Sequence, residues 1–166
     1  LRGQEGLHFE DWSRVAGDLT AAPASGRSLA SGDLDNDGDL DLVVTNCGAR
    51  AQVLRNDIEK QGSWLSLRLL TGSPGRDAVG AKVTLVCSGG VRRTAWCVPQ
   101  SSYLASQDPR VHFGLGVGEK VESMEVWWPD GPGESAGEIF PGADVNQFLR
   151  LRRGEGRAMA VQEAAR

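Results

Sequence analysis

Histidine and cysteine are scarce in this chain, with two and three among 166 residues. His8 and His112 lie far apart in sequence, so a zinc site built on imidazoles is not expected. Cys47, Cys87 and Cys97 show no metal-ligand spacing, and an odd count leaves at least one thiol outside any disulfide. Val83–Cys87 and Val91–Val98 read as a hairpin turning at Ser88-Gly89-Gly90. That places Cys97 about 16 Å along the returning strand, beyond the roughly 7 Å between Cα atoms that a disulfide spans. All three are expected as small buried residues. No apolar run approaches the ~20 residues of a membrane helix. Lysine and arginine form no dense run and the net charge is a mild −4, which argues against nucleic acid as a partner. No stretch sustains a helical period with caps. No signal peptide is visible and the first residue is not methionine, so a piece of a longer protein is expected.

What is present is acidic and regular. Five aspartates alternate through Asp33-Leu34-Asp35-Asn36-Asp37-Gly38-Asp39-Leu40-Asp41, which runs straight into Leu42-Val43-Val44. Carboxylates so close repel one another unless a hard cation neutralises them, and calcium takes about six to eight oxygen ligands at flexible geometry. Counting Asp33 as position 1, Gly38 falls at position 6, where a sharp turn needs an unhindered backbone. The opening matches an EF-hand loop, but position 12 is Val44 rather than a bidentate glutamate. The exit is rich in β-branched residues and reads as a strand. The loop therefore joins two strands. Asp33, Asp35 and Asp37 are expected as side-chain ligands, Asp39 through its backbone carbonyl, and Asp41 as the closing carboxylate. Leu34 and Leu40 should point away from the ion into a small core. The plainer alternative is a solvated acidic hairpin turn, since Asn-Asp-Gly turns readily without metal.

Glycine is abundant, 22 of 166 residues, as befits many tight turns between short strands. Phe9 to Val15, Ser28 to Ala30 and Gln52 to Arg55 are candidate strands of a first unit, residues 1–60. Asn56 to Gly62 is polar and marks a boundary. From Trp64 the alternation is clean: Leu65, Leu67 and Leu69 share one face, with Ser66 and Arg68 on the other, as in a half-buried antiparallel strand. Val83, Leu85 and Cys87 repeat the pattern, as do Met124, Val126 and Trp128, then Leu149 and Leu151. Turn signals at Gly72-Ser73-Pro74-Gly75, Ser88-Gly89-Gly90 and Pro129-Asp130-Gly131-Pro132-Gly133 separate the strands. The expected fold is all-β, with a sandwich-like domain over residues 61–153. Residues 154–166 are polar and alanine-rich, expected as a frayed tail or a short helix.

The acidic segment Gly32 to Val44 resembles the calcium loop of FG-GAP/VCBS repeats, the blades of integrin-type β-propellers. Arg76-Asp77-Ala78-Val79-Gly80-Ala81-Lys82-Val83, Ser101-Ser102-Tyr103-Leu104 and Val111-His112-Phe113-Gly114-Leu115-Gly116 are similar to the ASPIC/UnbV family. So are Glu125-Val126-Trp127-Trp128-Pro129-Asp130-Gly131 and Asn146-Gln147-Phe148-Leu149. The resemblance implies one propeller blade followed by an ASPIC/UnbV module. A propeller needs about four to eight blades to close, so one acidic loop fits the tail of something larger.

A hydrolase needs a nucleophile, a base and an orienting acid. Ser101, Ser102, Asp108 and His112 are the nearby set worth naming, but no Gly-x-Ser-x-Gly surrounds the serines. His112 alternates with Val111 and Phe113 as a strand residue would. No catalytic residue is expected. Trp64, Trp96, Trp127 and Trp128 offer rings for a core or a ligand face, and adjacent Trp127 and Trp128 must face opposite ways on a strand. An exposed tryptophan would point to a binding surface. The expected function is binding or adhesion to a protein or glycan surface, with calcium in a structural role. A site lacking the glutamate clamp suits the ~0.1–1 mM affinities of extracellular modules, which implies a secreted, periplasmic or cell-envelope location. The alternative that the resemblance allows is an enzyme or accessory protein of a biosynthetic pathway. A wide polar pocket joining His112, Asp108 and Ser102 would favour it.

Overall fold

Short alternating segments become thirteen strands in a computed structural model, which describes residues 2–3, 8–11, 13–15, 17–20, 24–59, 62–72, 74–129 and 137–159. They are β1 (Arg2–Gly3), β2 (Phe9–Glu10), β3 (Gly26–Gly32), β4 (Asp41–Asn46), β5 (Gln52–Leu54), β6 (Ser63–Leu70) and β7 (Lys82–Cys87). There follow β8 (Arg92–Trp96), β9 (Val111–Leu115), β10 (Val121–Trp127), β11 (Gly137–Ala143), β12 (Gln147–Arg152) and β13 (Arg157–Ala158). The chain is all-β and sandwich-like, as its alternation predicts.

The sandwich pairs a five-stranded sheet, ordered β13-β11-β10-β7-β8, with a three-stranded sheet, ordered β12-β6-β9. Each supplies one apolar face. Leu65, Leu67 and Leu69 of β6 are wholly buried, as are Val83 and Leu85 of β7 and Val126 of β10. Cys87, Met124, Val111, Phe113, Phe140 and Leu151 complete the same core. Each such leucine removed from water stabilises the fold by about 1.5–3 kcal/mol. Of the tryptophan pair, Trp128 enters the core and Trp127 faces outward beneath the Lys82 ammonium, whose Nζ stands 5.5 Å from a ring centre.

One pairing departs from a purely antiparallel sheet. β6 lies antiparallel to β9 but parallel to β12, with Leu67 opposite Leu149 and Leu69 opposite Leu151. Alternation reports which face a residue takes, not which way its neighbour runs, so the segment pattern is the same in either case. At the far end, Arg157–Ala158 pairs with β11, so this part of the expected tail is strand. Of the expected turn at 129–133, all but Pro129 lies outside the described residues.

The first unit holds a three-stranded antiparallel sheet, ordered β3-β4-β5, and a separate two-stranded pairing of β1 with β2. The expected strand from Phe9 to Val15 is shorter: β2 ends at Glu10 and a 3-10 turn occupies Ser13–Val15, where Asp11 accepts the Ser13 N–H at 2.9 Å and breaks the ladder. Leu34 and Leu40 do not enter a core. They are 55% and 40% exposed, like Leu29 and Val53 on the neighbouring strands. Among the described elements, the short 3-10 turn Gly17–Thr20 approaches β5, and the sandwich seats against the other edge. Cys47 is also exposed, in the turn after β4, whereas Cys87 and Cys97 are buried as expected; all three are free thiols.

Candidate metal centre

The acidic run curls into the hairpin connection between β3 and β4, whose last cross-strand pair is Gly32 opposite Asp41. Asn36 and Gly38 take left-handed backbone angles, φ 60° and 98°. Gly38 is obligatory twice over, because a side chain there would also overlap the indole of Trp64. The carboxylates hold the curl from inside. Asp33 accepts the N–H groups of Asp37 and Gly38 at 3.1 and 2.9 Å. Asp37 Oδ1 accepts the Asp39 N–H at 2.9 Å. Asp41 accepts from Leu34 and Asn56, both at 2.8 Å, and so ties the loop to the irregular segment that follows β5.

Asp33, Asp35 and Asp37 each bring one carboxylate oxygen within 4.8 Å of the others, Asp33 from a buried position and the other two from exposed ones. Two oxygens on one calcium ion, each at 2.3–2.6 Å, lie at most about 5 Å apart. The trio therefore has the donor type and the spread that a hard cation requires. Asp39 and Asp41 stand outside this trio. Asp41 is buried and spends one lone pair of each oxygen on the backbone, and each oxygen retains another.

Behind the loop stands the sandwich. Trp64 of β6 covers Gly38, lies near-parallel to the His112 ring (18°, centroids 6.1 Å apart) and meets Phe148 at 4.8 Å. Arg110 donates from Nη1 to Asn36 Oδ1 at 2.8 Å and from Nη2 to the Asp33 carbonyl at 2.7 Å. The same guanidinium is paired with Asp108 at 2.5 Å and rests 4.7 Å above the Phe148 ring. Next to it, the segment between β8 and β9 runs along the β3 edge. Asp108 N–H donates to the Ser31 carbonyl at 3.3 Å, Ser31 Oγ to Gln107 Oε1 at 2.9 Å, and Leu29 N–H to Ser102 Oγ at 3.3 Å. Sequence reasoning missed Arg110 entirely. It carries no motif, and its partners lie 74 and 77 residues upstream.

Two of the four residues weighed as a hydrolytic set are held by other partners. Ser102 caps the β3 edge, Asp108 is held by Arg110, and Ser101 is exposed. His112 Nδ1 is buried without a hydrogen-bond partner. Burial pushes its imidazole below the ordinary 6.5, against the pull of Asp33 and Asp39, with Arg110 adding to the fall. The cleft that Asp108 and His112 share, with Ser66 and Gln107, is about 180 Å³ and does not include Ser102. His8 is exposed in the N-terminal segment. Trp96, at the end of edge strand β8, is 56% exposed.

Comparison with known proteins finds two family models that match separate stretches of the chain, with β6 lying between them. The family model described as ASPIC and UnbV matches residues 71–158, and that of the FG-GAP repeat matches residues 25–52. Cartilage acidic protein 1 of Xenopus tropicalis is 37% identical over 118 residues, which covers 69% of this chain and 18% of that protein. The Homo sapiens and Mus musculus proteins of the same name are each 35% identical over the same length and shares. The chain thus spans about a fifth of the curated relatives it matches. No helix among the described residues is long and apolar enough to cross a membrane.

Proposed function

Because the chain belongs to the ASPIC and UnbV family and carries an FG-GAP repeat, we propose that it is a calcium-stabilised extracellular β module that binds a protein or glycan surface. One observation carries the metal assignment: the gathering of Asp33, Asp35 and Asp37 oxygens within 4.8 Å of one another at a hairpin tip. In this reading the Asp39 carbonyl and the Asp41 carboxylate complete the shell. Calcium would supply the positive charge that lets these carboxylates share one turn. The protein residues do the rest: Asp33 and Asp41 fix the backbone, and Gly38 lets the chain close under Trp64.

In this reading the metal's role is structural, since the candidate carboxylates all lie in one hairpin connection and two of them already hold its backbone. A site of this composition suits millimolar calcium outside cells. The exposed Trp96 offers a partner a large, apolar ring at a sheet edge. Calcium titration by calorimetry should show one saturable site, and thermal melts should shift upward with calcium and return with chelator. Asp35→Ala with Asp37→Ala should abolish both responses, whereas His112→Ala should keep them. A folded wild-type chain with no calcium response would overturn the assignment.

A further inference from the structure

We propose that Arg110 couples calcium binding at the acidic loop to the seating of the sandwich on the blade, so that each strengthens the other. The inference rests on the calcium reading above and adds a regulation of the same site. Its basis is where one side chain is anchored. Arg110 holds the loop at two points, the Asp33 carbonyl and the Asn36 side chain, and Asn36 is the residue with the left-handed φ of 60°. It holds the sandwich at two others, the Asp108 carboxylate and the Phe148 ring. Asp108 in turn donates its N–H to the Ser31 carbonyl on β3. The guanidinium is mostly buried, with 22% of its side chain exposed.

Two effects of opposite sign meet here. A cation beside a calcium loop lowers metal affinity by repulsion. A fork that already fixes the loop's backbone raises it, because the ion then pays less of the ordering cost. Asp108 takes donors from the same guanidinium and offsets its charge locally. With the repulsion compensated, pre-organisation decides the sign. Linkage then requires reciprocity: calcium must tighten the joint by the factor by which the joint tightens calcium.

The full chain tests this by calcium calorimetry together with hydrogen exchange at two amides that bridge the units, Leu29 and Asp108. Calcium should slow exchange at both in the wild type. Arg110→Ala should lower calcium affinity by a factor within the ordinary range of coupling, on the order of 5- to 150-fold, and remove the calcium-dependent protection. Repulsion alone predicts the reverse, a tighter site in Arg110→Ala. If that variant does not fold, Arg110→Lys keeps the charge but loses the fork, and should also weaken calcium binding. A wild type that binds calcium while these variants bind equally or better overturns the coupling and leaves the metal site standing. A wild type that binds no calcium overturns both.

Discussion

Gly38 and Glu119 show how single residues set local geometry for different reasons. Gly38 has a φ that L side chains avoid, and Trp64 occupies the space a Cβ would need. Gly38→Ala should therefore cost about 1–3 kcal/mol from backbone strain alone, and more from displacing the indole. A urea melt measures the loss, and a weakened calcium isotherm should accompany it. Glu119 is a residue whose ionisation bears on stability. It accepts both Arg93 donors, at 3.0 and 2.9 Å, and the Gly116 N–H at 2.7 Å. The Arg93 hydrogen bonds, then that of Gly116, lower its carboxyl from 4.5 to about 2. A lowered acid binds fewer protons folded than unfolded, so its contribution is whole above 4.5 and disappears as pH falls through 2. The stability difference between wild type and Glu119→Gln should be flat from pH 7 to about 5 and shrink towards pH 2, as urea melts across that range would record. A difference that grows on acidification would contradict the ion pair.

At the scale of the element, β6 carries the most. Three of its four leucines are wholly buried, and it is the central strand of its sheet. Leu67→Ala should cost about 2–5 kcal/mol, read as a shift in denaturant midpoint with little change of slope. The inward residues of β6, β7 and β10 were legible in the sequence because a period of two marks a strand buried on one face. The acidic loop was legible for a related reason, since its carboxylates and turn residues sit within one local run. What pattern could not reach was contact between distant segments. Arg110 meets the loop, and Trp64 meets Gly38, through pairings that no spacing announces. The burial expected for Leu34 and Leu40 failed on the same ground. Alternation told their side from that of the aspartates, but whether a second layer covers that side depends on other parts of the chain.

Taken whole, the molecule is two β units joined along one edge of the smaller. The joint uses Arg110, Asp108, Trp64 and the segment between β8 and β9, and it places the candidate metal loop against the sandwich rather than at a free tip. The sandwich itself is closed by the parallel pairing of β6 with β12. At the start of that pairing, Trp64 N–H donates to Asn146 Oδ1 across a separation of 82 residues. That single ladder has a consequence for synthesis. Strand β6 leaves the ribosome 82 residues ahead of its parallel neighbour, Leu65 before the Gln147 it faces. Until then its free edge is an unpaired apolar template, open to other chains. The sandwich is therefore slow to complete by topology, and a chain halted before residue 147 would leave β6 with one edge unpaired.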